Sequence, residues 1–416
     1  MTEPDVLTRI EQFNAGREPE RLAMKYAALR ENPFRFFRGT AHLFWDRWSE
    51  EPSDLDESPA AWSCGDLHLE NFGSYRGDNR LAYFDINDFD DAALAPATRD
   101  PGRFLTSIHI AAAMLELTHS EVTELSKRFM TAYAEALADG KARWVERATA
   151  QGMVRDLLRR VKGRTREALL DTRTALVRNR RRLTVDGRHT LTASREDRRH
   201  VAACLEAFAE SQDDPRFFKV LDVARRVAGT GSLGVRRFVV LVRGRGSPDG
   251  NFLIDLKEAA PSAIASRLQL PQPAWENEAA RVVHVQQRMQ AIAPALLRAV
   301  VMDGRHYILR ELQPLEDRLA LEHWNGKLRR LRRVMVTMGH VVAWSQLRSA
   351  SRGGSARADE LMKFAHSKSW HRALLARATQ FSKEVRRDWQ SFVVAHEDGH
   401  FAPGTPRPLK GVETAG

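Results

Sequence analysis

The stretch CGDLHLENFG, residues 64–73, sets Asp66 and Asn71 five positions apart between two glycines. D-x-x-x-x-N spacing can aim a proton-accepting carboxylate and a neutral metal ligand into one cleft, the arrangement that phosphoryl transfer uses. The aspartate would accept the proton of an attacking hydroxyl, and the asparagine carbonyl would coordinate magnesium without adding negative charge. Any loop can offer this spacing, and it gains weight from the strand and acidic cluster that come after it. In LAYFDINDFDDA, residues 81–92, a short apolar run delivers Asp85, Asp88, Asp90 and Asp91 to one strand end. Carboxylates so close repel one another unless a cation or arginines sit among them. Asp88 is the expected magnesium ligand, with one further carboxylate available beside it. Asp90 and Asp91 read equally well as an acidic turn capping a helix.

A third piece lies far along the chain. GTGSLG, Gly229 to Gly234, falls between two predicted strands and offers Gly229, Gly231, Ser232 and Gly234 as a loop that backbone N–H groups can line. A G-x-G-x-x-G that leads into a strand suggests a glycine hairpin folded over ATP phosphates; one that leads into a helix would suggest a dinucleotide site. Lys257, in FLIDLKEA, can bridge phosphates as a point charge, and its apolar neighbours Leu253, Ile254 and Leu256 hold it in a wall. Such a lysine needs an acidic partner. Glu276 and Glu278 lie on the next predicted helix, and neither stands out. His68 is open to a metal or base role, although a lone loop histidine more often holds loop shape. No C-x-x-C or G-x-S-x-G pattern competes.

These groups need elements to position them. PDVLTRIEQF and PERLAMKYAAL have helical spacing, with Pro4 and Pro19 in their first turns. The aromatic-rich NPFRFFRGTAHLFWDRW, with Arg35 and Arg38 embedded, reads as a helix packed near residues 64–73. RLAYFDI, residues 80–86, reads as a strand. From Arg103 to about Leu137 the pattern is helical, with Ser120 the expected cap for EVTELSKRFMTAYAEAL. MVRDLLRRVKGRTREALL is predicted helical and TVDGRHTLTAS loose. VLDVARRVAGTGSLGVRRFVVLVRGRGSPDGNFLIDLKEA reads as strand, glycine loop, strand, turn and strand, with SPDG as the turn. The helix WENEAARVVHVQQRMQAI, the strand HYILREL and a helical run from Leu321 to about Ala395 follow. The Gly/Pro-containing tail after that is expected to be partly disordered.

Bulk properties bound these readings. A chain of 416 residues is long enough for two lobes and a substantial interior. With 43% hydrophobic and 29% charged residues it reads as soluble and globular rather than disordered. No apolar run reaches membrane-helix length and the acidic start lacks signal-peptide order, so a cytoplasmic location is expected. Two cysteines, Cys64 and Cys204, exclude a disulfide framework and a cysteine-rich zinc site, and both are expected to be buried. The net charge of +11 is local: residues 141–200 hold 18 Lys and Arg against 7 Asp and Glu, and the rest of the chain balances. Such a stripe can attract nucleic acid, an anionic membrane surface or a phosphorylated ligand. A solvated helical face in an insertion is favoured, because Trp144 is nearly the only aromatic there to stack on bases.

Six blocks in order, FRFFRGTA, CGDLHLENFG, FDINDFDDA, RDPGRFLTS, DVARRVAGTGSLGVRR and LKEAAPSA, resemble the signature blocks of a bacterial family, domain of unknown function 2252. That family in turn resembles aminoglycoside phosphotransferases and protein-kinase-like proteins. The resemblance implies the base role for Asp66, metal roles for Asn71 and Asp88 with Asp85 as the competing register, and a loop-steadying role for Asp100. His68 and Arg38 are supporting residues. It implies a two-lobed α+β fold, with a mostly helical larger lobe and a small antiparallel-sheet lobe. In ordinary kinases the glycine loop and lysine precede the catalytic loop; here they follow it, so the fold is expected to be circularly permuted.

The chain accordingly divides into a helical part with the catalytic and metal loops (1–140), a basic helical insertion or linker (141–214), a nucleotide-gripping lobe (215–320), a second helical part (321–400) and a flexible tail (401–416). The expected activity is ATP- and Mg2+-dependent phosphoryl transfer to an unknown hydroxyl acceptor. The alternatives are a nucleotide-binding regulator or nucleotidyltransferase on the same fold, and a nucleic-acid-binding protein acting through residues 141–200.

Overall fold

Local sequence signals start most of the N-terminal elements. The computed structural model describes residues 5–48, 54–227, 234–313 and 318–401. Helix α1 (Val6–Asn14) begins at Asp5, whose carboxylate accepts the Thr8 N–H at 2.8 Å. Helix α2 (Pro19–Arg30) takes Pro19 as its first residue, where the missing N–H costs nothing; Pro4 lies outside the described residues. The aromatic segment forms two helices instead of one, α3 (Pro33–Gly39) and α4 (Ala41–Arg47). They break at Thr40, which leaves helical backbone while its hydroxyl bonds back to the Phe36 carbonyl at 2.7 Å.

Four short strands follow in a nested order. Strand β1 (Ala60–Ser63) pairs antiparallel with β4 (Ala93–Pro96), and between them β2 (Phe72–Arg76) pairs antiparallel with β3 (Ala82–Ile86). Two helices support this ladder: α5 (Arg99–Ala111) and α6 (His119–Ala138). The cap of α6 is Thr118, not Ser120. The Thr118 hydroxyl accepts the Glu121 N–H at 3.3 Å, and the Glu121 carboxylate accepts the Thr118 N–H at 2.9 Å. This reciprocal pair satisfies two orphan donors, which a serine already inside the first turn cannot do.

The basic region holds more than helix and loop. Strand β5 (Val145–Glu146) joins β3, and α7 (Gly152–Gly163) and α8 (Arg166–Asp171) follow. Then come the hairpin β6 (Thr174–Val177) and β7 (Arg180–Leu183), the strand β8 (Thr190–Thr192) and the helix α9 (Arg195–Glu210). The stretch expected to be loose thus contains β8, whose three residues are too few to show alternation.

The next elements are β9 (Val220–Arg226), β10 (Arg237–Val242), β11 (Phe252–Glu258), α10 (Glu278–Met289), β12 (Arg298–Met302) and β13 (Arg305–Glu311). They build a six-stranded antiparallel sheet in the order β12-β13-β11-β10-β9-β8. Side chains alternate across it. Phe238, Val240, Ile254 and Leu256 pack with Val201 and Leu205 of α9, while Val239, Leu241 and Leu253 face Leu170 and Leu183. The same alternation puts Asp255 and Lys257 on the face opposite α9.

The chain ends in α11 (Leu328–Ser349), α12 (Ala358–His366) and α13 (Ser369–Glu397). Helix α11 lies so close along α6 that a Cβ at Gly339 would stand 2.5 Å from the Phe129 carbonyl, and the Tyr133 hydroxyl donates to Gln346 at 2.6 Å. N-terminal and C-terminal helices therefore share one large core. The protein is mixed α+β with antiparallel sheets, as expected. Cys64 and Cys204 are free and buried. Among the described residues no helix is long and apolar enough to cross a membrane.

Candidate active site

The nested ladder brings two loops side by side. Because β2 and β3 pair inside the β1–β4 ladder, the connections 64–71 and 87–92 emerge at the same end. They touch at Gly65, which has φ +87°, and a Cβ there would meet the Asp91 carbonyl at 2.3 Å. Only glycine fits both constraints. Gly65→Ala is expected to destabilise the fold by about 3 kcal/mol, combining left-handed backbone strain with overpacking; chemical denaturation of wild type and variant measures it.

Asp100, at the start of α5, fixes the first loop from below. Its carboxylate accepts the Ser63 hydroxyl and, at 2.9 Å, the Cys64 N–H. The Trp45 indole N–H donates to the Gly65 carbonyl at 2.8 Å. The Asn71 amide then ties the loops together, donating to the Asp66 carbonyl at 3.0 Å and lying 3.5 Å from that of Asp88.

Asp66 sits at the floor of the resulting cleft. Its Oδ1 accepts Nε of Arg103 at 2.9 Å and also the Arg103 Nη2. Arg103 is fully buried, packs its guanidinium 4.0 Å from the Phe37 ring centroid and donates to the Phe37 carbonyl at 3.0 Å. Burial pushes the Asp66 carboxyl up to about 7, Arg103 opposes the rise, and the Asp91 charge adds to it. Sequence reasoning passed over Arg103, yet the signal was present: Asp100 and Arg103 stand three apart on one helix face, so the residue that holds the loop and the one that holds Asp66 come as a pair.

His68 and Arg38 shape the same loop. His68 Nδ1 faces the Glu70 N–H at 3.1 Å and its Nε2 faces Arg38 Nε at 3.2 Å, while Arg38 also pairs with Glu70. A neutral imidazole has one acceptor nitrogen, so only one of the two His68 contacts is a hydrogen bond at a time. Burial, reinforced by Arg38 and Arg103, keeps the imidazole well below its usual range and hence neutral.

The four aspartates separate by role. Asp88 is exposed to the cleft, and its Oδ1 lies 3.4 Å from the Asp90 N–H. Asp85 is buried away from it: its carboxylate accepts the Ala291 N–H at 3.2 Å and Arg348 of α11 at 3.1 Å, tying the hairpin to the helices. Of the two metal registers, Asp88 is therefore the one that lines the cleft. Asp91 accepts the Ala263 N–H at 2.8 Å, and its main-chain oxygen accepts the Ser262 hydroxyl at 3.1 Å, so the acidic loop is bonded to the segment after β11. Neither Asp90 nor Asp91 caps a helix.

Lys257 reaches the cleft from the sheet. Its Nζ donates to Asp90, and this supplies the acidic partner that Glu276 and Glu278 did not offer. Burial alone would raise the Asp90 carboxyl, but the Lys257 ammonium outweighs it and holds the carboxyl below its usual value. Glu278 pairs with Arg281 at 2.6 Å, and Arg281 clamps the acidic loop by donating to the carbonyls of Ala92 at 2.7 Å and Asp90 at 2.6 Å. Behind Lys257, Asp255 gathers Arg237 at 2.7 Å, Arg226 at 2.9 Å and Arg310 at 3.4 Å. Arg226 and Arg237 end the strands that flank the glycine loop, so one carboxylate holds the roots of that hairpin. Gly229, Gly231 and Ser232 lie outside the described residues. Gly234 has φ +96° and rests against the Arg17 side chain.

Asp66, Asp88, Asp90 and Lys257 thus line one cleft of about 490 Å3. Arg17, Arg38, Arg267 and Arg318 stand around it, so its walls carry both signs of charge. Among the described residues, no three His, Cys, Asp or Glu side chains are grouped so as to hold a metal by themselves.

Fold and site define a mixed α+β protein in which a lysine-bearing sheet closes over two nested acidic loops. The chain belongs to the family described as an uncharacterized protein conserved in bacteria (DUF2252), whose pattern matches residues 17–395. No curated protein and no solved structure matches it.

Proposed function

We propose that the protein is an ATP- and magnesium-dependent phosphotransferase acting on a hydroxyl acceptor, on a permuted kinase-like fold. The observation that carries this reading is the convergence of Asp66, Asp88 and Lys257, from distant segments, on one cleft. The order of parts within the sheet supports it: a glycine-rich connection between β9 and β10, a lysine on the following strand, then a helix, as in the kinase small lobe. In sequence this sheet follows the catalytic loops, while α11 packs beside α6 as part of their scaffold, which favours the permuted arrangement.

The residues present fit a metal-bound polyphosphate. Such a ligand carries both signs, and the cleft offers carboxylates on one wall and Lys257 with arginines on the others. Asp88 and Asn71 would hold the metal, with phosphate oxygens completing its shell. When bound, magnesium supplies neutralisation of phosphate charge. Lys257 orients the phosphates, and Arg103 orients Asp66 toward the acceptor hydroxyl, whose proton Asp66 takes. Positioning and charge account for most of the catalysis in such a site.

Pairing of Lys257 with the acidic loop instead of a helix glutamate gives a second reading, nucleotidyl transfer. Incubation with ATP labelled on the γ-phosphate, magnesium and a panel of hydroxyl compounds tests both. Products gaining a phosphate mass support phosphotransfer, products gaining a nucleotidyl mass support the second reading, and a nucleotide that binds unchanged marks a regulator.

A further inference from the structure

A second cavity, of about 340 Å3, lies between the β2–β3 turn, the α7–α8 junction and the end of β13, and shares no lining residue with the cleft. Five cationic side chains converge on it: Arg76, Arg80, Lys162, Arg164 and Arg166. Among the described residues that line it, Glu311 is the one acidic residue. Like charges gather in a recess only at a cost, which an anionic ligand removes. We propose that this cavity is a binding site for a small organic phosphate, separate from the cleft.

The site is built on backbone, not on loose surface chains. The Asp78 N–H donates to the Ala293 carbonyl at 2.9 Å, the Ala295 N–H to the Arg76 carbonyl at 3.0 Å, and the Glu311 N–H to the Ala295 carbonyl at 3.0 Å. These bonds lock the hairpin tip to the strands of the sheet. The buried Phe252 ring fixes two guanidiniums at the wall, with Arg166 3.9 Å and Arg80 5.8 Å from its centroid. Arg80 also pairs with Glu311 at 2.8 Å, and Arg76 leans on the Val161 and Arg164 carbonyls at 3.4 Å. Arg166 is pushed below its usual value by burial and by Arg245, Arg80 and Arg76, with Glu311 opposing.

The chemistry of the walls selects the ligand. Planar guanidiniums present paired donors that match phosphate oxygens. Val161, Leu169, Ala295 and Leu312 supply an apolar floor, which suits a carbon body attached to the phosphate. A recess of this size takes a small molecule and does not follow the backbone of a nucleic acid. Three of the five cations, Lys162, Arg164 and Arg166, belong to the segment that holds the local basic surplus of residues 141–200, so part of that charge is gathered at a pocket instead of being spread over a face.

The site stands independently of the proposed activity. Calorimetric titration of the full chain with glycerol 3-phosphate, inorganic phosphate and glycerol tests it, on wild type, Arg166→Gln, Lys162→Gln and Asp88→Ala. Glycerol 3-phosphate is expected to bind more tightly than inorganic phosphate, and glycerol not at all. Arg166→Gln should weaken binding about tenfold, exposed Lys162→Gln less, and Asp88→Ala not at all. The proposal is overturned by no phosphate binding at millimolar concentration, by loss of binding in Asp88→Ala alone, or by equal affinity in the wild type and both cavity variants. Salt-sensitive binding of DNA or RNA without binding of the small phosphates overturns it too, in favour of a polyanion surface.

Discussion

Asp66→Asn is expected to lower phosphoryl transfer by about 10²–10⁴-fold while leaving nucleotide affinity nearly unchanged, since the amide keeps the shape of the loop and removes only the proton acceptor. The structure says why the shape survives. The 64–71 loop is held by Asp100, Trp45 and the Asn71 amide, none of which bonds to the Asp66 carboxylate. The pH dependence gives a second signature. With the carboxyl pushed up to about 7, the base is protonated and inactive below that pH and ionised above it. The rate should therefore rise about tenfold per pH unit below 7 and level off above it. Arg103→Lys supports the same assignment if the inflection moves upward, because a point charge replaces the fork that holds Oδ1. Full turnover by Asp66→Asn, or a profile flat between pH 5 and 8, removes Asp66 from the base role.

Asp88→Ala is expected to abolish the metal-dependent part of nucleotide binding. At a hundredfold excess of ligand over its dissociation constant, binding stabilises the folded state by about 2.7 kcal/mol. For a cooperative unit of this length the melting temperature then rises by about 3 °C. Wild type should show that rise with ATP and magnesium together and a smaller one with ATP alone. Asp88→Ala should show the same small rise in both conditions. Asp85→Ala serves as the contrast: it removes a buried partner of Arg348 and the Ala291 N–H and should lower the melting temperature without ligand. Equal metal-dependent shifts in wild type and Asp88→Ala would exclude Asp88 as the metal ligand.

What the sequence made legible was local. The strand 80–86, the hairpin strands around the glycine loop and the adjacency of Asp66, Asn71 and Asp88 all derive from spacing within a few dozen residues, where alternation and turn chemistry act directly. Roles set by distant partners were not visible. Asp90 looks like a turn residue until the fold brings in Lys257, 167 positions away. Asp85 and Asp88 are equivalent as letters; the pleat of β3 decides between them, burying Asp85 against α11 and leaving Asp88 beyond the strand end. Ser120 was a plausible cap, but Thr118 stands three residues before Glu121 and so completes a reciprocal pair. Thr40 divides a helix that aromatic composition alone made continuous. The basic segment shows how composition can mislead: its surplus was read as a solvated helical face, yet it also contributes a strand to each of two larger sheets and arginines to a recess.

The bridge between Lys257 and Asp90 gives the resting cleft an internal counter-ion. An anion arriving there finds the ammonium already engaged, so its capture is an exchange of partners in which the carboxylate must be released or handed to another cation. Attraction at that point is reduced by the strength of the bond it replaces, and selectivity gains accordingly: a ligand bringing its own positive ion can satisfy both members of the parted couple, whereas a bare anion strands one of them.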